Sequence, residues 1–213
     1  MTSDPITQRI RAVRQKMAAS QVDTFMVSID ANRHYLSGFH AEDGQFDETA
    51  GAHLITDEAL LLATDPRYVE AAQREAIGFE VVCYRQGLVK ALPELLTRLG
   101  TRRMGFESRR LSHQQVLQLA EQIETAELAI ELVPLEDLVE PLRAVKSEDE
   151  VEKTRKALAI AEEAFAAVRP LIRPGITEKA LAWELEKEMR GRGADALSFP
   201  SIVAAGPNSA LPH

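Results

Sequence analysis

Cysteine is nearly missing: Cys83 is the single one in 213 residues. That excludes a disulfide framework and makes the cytoplasm the simplest expected compartment. Cys83 lies in the apolar run Phe79-Glu80-Val81-Val82-Cys83-Tyr84. It is expected to be an inert, buried strand residue, because nothing around it would lower its thiol pKa. No apolar run approaches the roughly 18 residues a membrane helix needs, so no membrane partner is expected. The opening MTSDPITQRI lacks a basic region followed by an apolar one, which does not read as a signal peptide. The formal net charge of −8 leaves no basic stripe for nucleic acid. Arg102-Arg103 and Arg109-Arg110, the only arginine pairs that could begin one, read as solvated edges of a short strand. Neither a GxGxxG turn nor a GxxxxGK[ST] loop occurs at any strand-to-helix junction, which disfavours the common nucleotide-binding readings.

What is present is apolar material in ordered portions. With 45% hydrophobic residues the chain can build a proper core. Asp4 before Pro5 is an N-cap followed by proline at the first helical position, and Ile6, Ile10, Val13 and Met17 repeat at helical spacing. Thr24–Ile29 reads as a strand, and the segments 52–56 and 60–63 around Asp57-Glu58 as a hairpin. A helix from Asp65-Pro66 to about Ala76 leads into a strand over 79–84. The segment 88–99 should be partly helical, with Pro93 in its first turn or kinking it. A strand over 104–107 precedes Ser112-His113-Gln114-Gln115, a capping box that starts a helix through Ile123. Ile130–Val133 closes the series. Strands separated by such helices imply an α/β layer structure with a mostly parallel sheet and one hairpin.

A second unit is expected from residue 139 onward, giving domains 1–138 and 139–213. Ser147-Glu148-Asp149-Glu150 is a second capping box, and its acids favour a helix N-terminus without invoking a metal. Val151, Thr154, Leu158, Ala161, Phe165 and Val168 mark one helix face up to Pro170. Pro174-Gly175 turns the chain, and Thr177 caps a helix with Leu181, Leu185 and Met189 as its buried stripe. Trp183, the only tryptophan, falls beside that stripe and reads as packing. Ser201-Ile202-Val203-Ala204-Ala205 reads as a strand, broken at Gly206-Pro207-Asn208 ahead of a terminal His213. This second domain is expected to be unfinished.

The stretch IRPGITEKALAWELEKEMRGRGADALSFPSIVAAGPNSALPH resembles the opening of the pita-bread catalytic domain of Xaa-Pro peptidases, aminopeptidase P and prolidase. EPLRAVKSEDEVEKTRKA resembles the segment joining it to the creatinase/prolidase-type N-terminal domain, and NRHYLSGF and TDPRYVEAA resemble parts of that domain. The resemblance implies a fold class of α/β, a creatinase/prolidase-like N-terminal domain with a mixed sheet, followed by the first part of an α+β pita-bread domain. It implies a metallopeptidase that cleaves the bond preceding proline with two divalent ions, often manganese. Their ligands, two aspartates, one histidine and two glutamates, would lie beyond residue 213, so no metal ligand is assigned here. The family's histidine outside the metal shell, which contacts substrate near the scissile bond, matches His213. An aromatic lining the family's pocket matches Phe199, here without a hydroxyl, so Phe199 is either an apolar substrate-pocket wall or a core residue of the sheet. Proline-containing peptides are the implied substrates and a homodimer the implied assembly.

Two other functions remain open on the same fold: a metal-independent creatinase, and a non-catalytic peptide- or protein-binding module. The remaining candidates read blandly. His34 and Tyr35 are expected to pack in a turn after a strand. His40, His53 and His113 are expected at the surface or beside caps. Glu42, Asp43, Asp47 and Glu48 are expected to form a solvated loop without the ligand spacing of a calcium site.

Overall fold

The computed structural model describes residues 4–41 and 49–211. The chain divides into two compact units, Met1–Val145 and Lys146–His213. The first is built on six strands: β1 (Thr24–Val27), β2 (Ala52–Ile55), β3 (Leu60–Thr64), β4 (Glu80–Cys83), β5 (Arg103–Glu107) and β6 (Glu131–Leu135). They form one mixed sheet in the order β4-β3-β2-β1-β5-β6. Only β2 runs against the others. It pairs antiparallel with β1 and with β3, whereas β3–β4, β1–β5 and β5–β6 pair in parallel.

Among the described residues six helices cover the sheet: α1 (Pro5–Ala19), α2 (Asp30–Ser37), α3 (Val69–Glu75), α4 (Leu88–Arg98), α5 (His113–Thr125) and α6 (Glu140–Ala144). The strands alternate between two cores, as a period of two requires. Phe25, Val27, Ile55 and Leu62 face a cluster with Ile10, Val13 and Met17 of α1, Leu36 of α2 and Ala72 of α3. Met26, Leu54 and Leu61 face the other, with Leu92, Leu95 and Leu96 of α4 and Leu119 and Ile123 of α5. Full burial of each such aliphatic side chain contributes about 1.5–3 kcal/mol before conformational entropy is set against it.

Local signals start the helices where the sequence places them. The Asp4 carboxylate accepts from the Thr7 N–H at 3.3 Å ahead of Pro5. The Ser112 hydroxyl accepts from the Gln115 N–H at 3.2 Å while the Gln115 carbonyl accepts from the Ser112 N–H at 2.8 Å. Pro93 sits inside α4 past its first turn, which leaves the second of its two expected placements. Other expectations need correction. His34 and Tyr35 belong to α2, not to a turn. Cys83 is exposed, because β4 is an edge strand with a neighbour on one side only. Residues 139–145 pack with the first unit: Val139 is buried in its core and the Tyr35 hydroxyl donates to the Leu142 carbonyl at 3.1 Å.

The second unit carries α7 (Glu148–Val168), with the Ser147–Glu150 capping box formed, and α8 (Glu178–Gly191), capped by Thr177. The segment 201–205 is not a strand but extended chain leading to a 3-10 turn at Gly206–Ala210. No strand of the second unit pairs with it among the described residues, and without a ladder the strand pattern has nothing to satisfy its backbone groups.

Candidate functional site

The segment that runs toward the terminal histidine is fixed from α8. Glu178, the first residue of that helix, accepts from the Ala205 N–H at 2.6 Å through Oε1. Its two oxygens also accept from the Asn208 side-chain amide at 3.1 and 3.0 Å. The turn closes on itself, with the Ser209 hydroxyl donating to the Gly206 carbonyl at 2.6 Å and the Leu211 N–H to the Asn208 carbonyl at 3.0 Å. Gly206 has φ of 57°, a left-handed conformation that suits glycine. Pro207 follows with its φ preset. The GPNSA turn is therefore a clamped element, held by Glu178, a residue that sequence reasoning did not single out. Nothing in its local pattern distinguishes it from an ordinary acid in a first helical turn.

His213, the expected catalytic imidazole, lies outside the described residues, as do Glu42, Asp43, Asp47 and Glu48. Phe199 is described and is 69% exposed. It borders a cavity of about 450 Å³ together with Ile160, Met189, Lys153, Lys156 and Ser201. Trp183, expected to pack, is 61% exposed. Leu158 and Phe165 on the predicted face of α7 are exposed as well, and Leu181, Leu185 and Met189 are half-buried at most. Among the described residues no group of three or more His, Cys, Asp or Glu side chains is placed to hold a metal. The described residues therefore do not fit a two-ion centre, and no chemical step is derived through one.

The first unit holds two buried polar constellations that sequence reasoning did not single out. At the carboxyl ends of β1 and β5, Oε2 of Glu107 accepts from the N–H groups of Ser28 and Ile29, both at 2.6 Å. Oε1 of Glu107 accepts from the Asn32 side-chain amide at 2.6 Å. Asn32 in turn donates to Glu140 at 2.7 Å and accepts from Arg143 at 2.9 Å, tying α2 and β5 to α6. Burial pushes the Glu107 carboxyl above its ordinary range. The hydrogen bonds from Asn32, Ile29 and Ser28 oppose that rise, and the Glu140 charge adds to it. Ionised Glu107 is therefore less favourable in the fold than in the open chain, so this group alone lowers stability as pH rises through its titration.

The second constellation surrounds Arg33, fully buried in α2. Its guanidinium donates to Thr49 at 2.8 Å, to the Ala41 carbonyl at 3.0 Å and to the Gly51 carbonyl. Beside it stands His53, which is fully buried and not at the surface as expected. β2 is flanked by strands on both edges and by cores on both faces, so no side chain at its centre reaches water. His53 Nε2 lies 3.1 Å from the Arg33 carbonyl and 2.9 Å from the Ser37 hydroxyl. A carbonyl can only accept, so Nε2 carries the proton. His40 and His113 are exposed, as expected. Arg109 pairs with Asp137 at 2.7 Å and Glu136 at 3.4 Å, which fits a solvated strand edge.

Two family models match in sequence order: the creatinase/prolidase N-terminal domain over residues 9–145 and metallopeptidase family M24 over residues 152–213. An uncharacterized peptidase of Bacillus subtilis is 32% identical over 205 residues, covering 96% of this chain and 55% of that protein. The structure of an Xaa-Pro dipeptidase from Bacillus anthracis superposes with a TM-score of 0.85 at 32% identity, covering 98% of this chain and 55% of that one. An X-Pro aminopeptidase from Thermotoga maritima gives 0.81 at 30% identity, with coverages of 96% and 55%. The chain thus spans about half the length of the proteins it matches.

Proposed function

The chain belongs to the Xaa-Pro peptidase family with a creatinase/prolidase-type N-terminal domain, and from that premise we propose that it is the N-terminal portion of a metal-dependent peptidase. The reaction is hydrolysis of the peptide bond preceding proline. The observation that carries this reading is the ordered pair of family matches, over 9–145 and 152–213, along almost the whole chain. The clamp of Glu178 on Ala205 and Asn208 adds support, since it fixes the turn immediately ahead of His213.

In this reading the chain supplies the non-metal part of the site. His213 stands beside the scissile bond, where an imidazole can donate a hydrogen bond to the reacting carbonyl and change protonation state near neutral pH. Phe199 offers an apolar wall to the substrate. Two divalent ions, manganese by resemblance, would supply the activated water and charge stabilisation. Their ligands are assigned to no residue of this chain. A pita-bread second domain, a homodimer and a cytoplasmic location complete the proposal.

The test uses the product of the complete reading frame with Xaa-Pro dipeptides and Xaa-Pro-Xaa tripeptides. Cleavage before proline should vanish on chelation with EDTA and return with Mn(II). Residues 1–213 alone should release nothing. If the complete product leaves every Xaa-Pro bond intact at any metal, or cleaves it equally after chelation, the proposal fails.

A further inference from the structure

β1 and β5 are adjacent parallel strands, yet the helices that follow them leave toward opposite faces of the sheet. α2 buries Leu36 in one core, and α5 buries Leu119 and Ile123 in the other. Open α/β sheets bind ligands in the crevice outside the carboxyl ends of two such strands. A cavity of about 420 Å³ lies there, bounded by Met26 and Ser28 at the end of β1, Leu92 of α4 and Leu119 of α5.

The anionic option at this crevice is already taken. The Glu107 carboxylate accepts from the Ser28 and Ile29 N–H groups, the donors an incoming phosphate or carboxylate would seek where a helix begins. The charges along the cavity offer no strong replacement. Lys90 and Glu121 are exposed and opposite in sign, and Arg110 is engaged in a contact of its own. Gln115, Gln118 and Gln122 repeat at helical spacing along the face of α5 that borders the cavity. The Gln115 oxygen is committed to the Ser112 N–H. Gln118 and Gln122 each present one acceptor and two donors. An apolar floor beneath a row of carboxamides suits a guest with an aliphatic side chain and amide groups of its own. The volume falls in the lower part of the roughly 300–1,000 Å³ common for small-molecule pockets, which limits the guest to about two residues.

We propose that this crevice binds short uncharged peptides, seating an aliphatic side chain on the half-buried Leu88, Val89 and Leu111 that line it and pairing the ligand's amides with Gln118 and Gln122. The proposal would stand even if the peptidase reading fell, because its test involves no turnover.

The test titrates N-acetyl-Leu-Ala-amide into the ¹⁵N-labelled 213-residue chain and follows the backbone amide signals of α5, present in wild type and variant alike, together with the side-chain amide signals of Gln118 and Gln122 in the wild type. Saturable shifts are expected, with affinity reduced about tenfold in a Gln118→Ala/Gln122→Ala variant, as two lost hydrogen bonds imply. Alanine is at least as good a helix former as glutamine, so the variant should fold, and circular dichroism checks it. The free acid N-acetyl-Leu-Ala should bind more weakly. Absence of saturation to about 10 mM, undiminished affinity in the variant, or tighter binding of the free acid each overturns the proposal; the concentration ceiling reflects the weakest affinity expected of so small a ligand.

Discussion

His53 should make the first unit acid-sensitive by a calculable amount. Burial, with the neighbouring Arg33 charge adding to it and the Arg33 carbonyl opposing it, lowers its pKa from 6.5 to about 3. The geometry explains why. Nε2 spends its proton on the Arg33 carbonyl and Ser37, and Nδ1 is buried with no hydrogen-bond partner. A second proton on Nδ1 would be an unsatisfied donor and a charge beside a buried guanidinium. The ring also lies against Phe79, with centroids 4.3 Å apart.

A depressed folded pKa places the stabilising contribution above the unfolded value and removes it as pH falls. Below pH 6.5 the unfolded chain takes up a proton at His53 that the folded chain refuses until about pH 3. Between pH 7 and pH 5 that difference amounts to about 2 kcal/mol, close to 1.36 kcal/mol per pH unit once the unfolded imidazole is mostly charged. Urea unfolding of the wild type and of His53→Gln at both pH values measures it. The glutamine variant starts less stable, because its shape fits the site poorly, so the informative quantity is the change with pH. Wild type should lose about 2 kcal/mol more than the variant. Parallel losses would refute the claim that His53 is neutral in the fold.

Two further outcomes follow from local geometry. At Gly51, φ is 141° and an added Cβ would meet the Ala63 carbonyl on β3, so Gly51→Ala should cost at least about 2 kcal/mol in urea unfolding; a loss within experimental error would refute the clash. Glu178→Gln leaves one acceptor oxygen where two now serve Ala205 and Asn208, so hydrogen exchange at Ala205 and along 206–211 should quicken while α7 and α8 keep their protection. Unchanged exchange at Ala205 would show that the carboxylate does not hold the turn.

How much was legible depended on where each signal resides. Asp4-Pro5, Ser112–Gln115 and Ser147–Glu150 carry their caps within four residues, and all three form. The apolar strand read over Thr24–Ile29 forms over Thr24–Val27, with Phe25 and Val27 in one core and Met26 in the other. Glu107 could not be read this way. It reaches back to Ser28 and Ile29 from the far end of another strand, and no local pattern encodes a contact across 79 residues. His53 was misread for a related reason. Histidine alone favours neither surface nor core, and its burial follows from β2 lying between β1 and β3.

The second unit shows the other limit. The helical periodicities in α7 and α8 were correct, and the helices form, but an apolar stripe states only that a helix has a side to hide. Whether Phe165, Trp183 or Phe199 is covered depends on what stands opposite, and these side chains are exposed in this chain. The same reasoning applies to 201–205. Its β-branched pair among small residues, Ser201-Ile202-Val203-Ala204-Ala205, suits a strand, but a strand is a property of pairs, and its N–H and C=O groups need a neighbour. The turn after it needs no such neighbour, because Glu178, Ser209 and Asn208 supply its hydrogen bonds from within the unit. That is why 206–210 closes as a turn while 201–205 is not a strand.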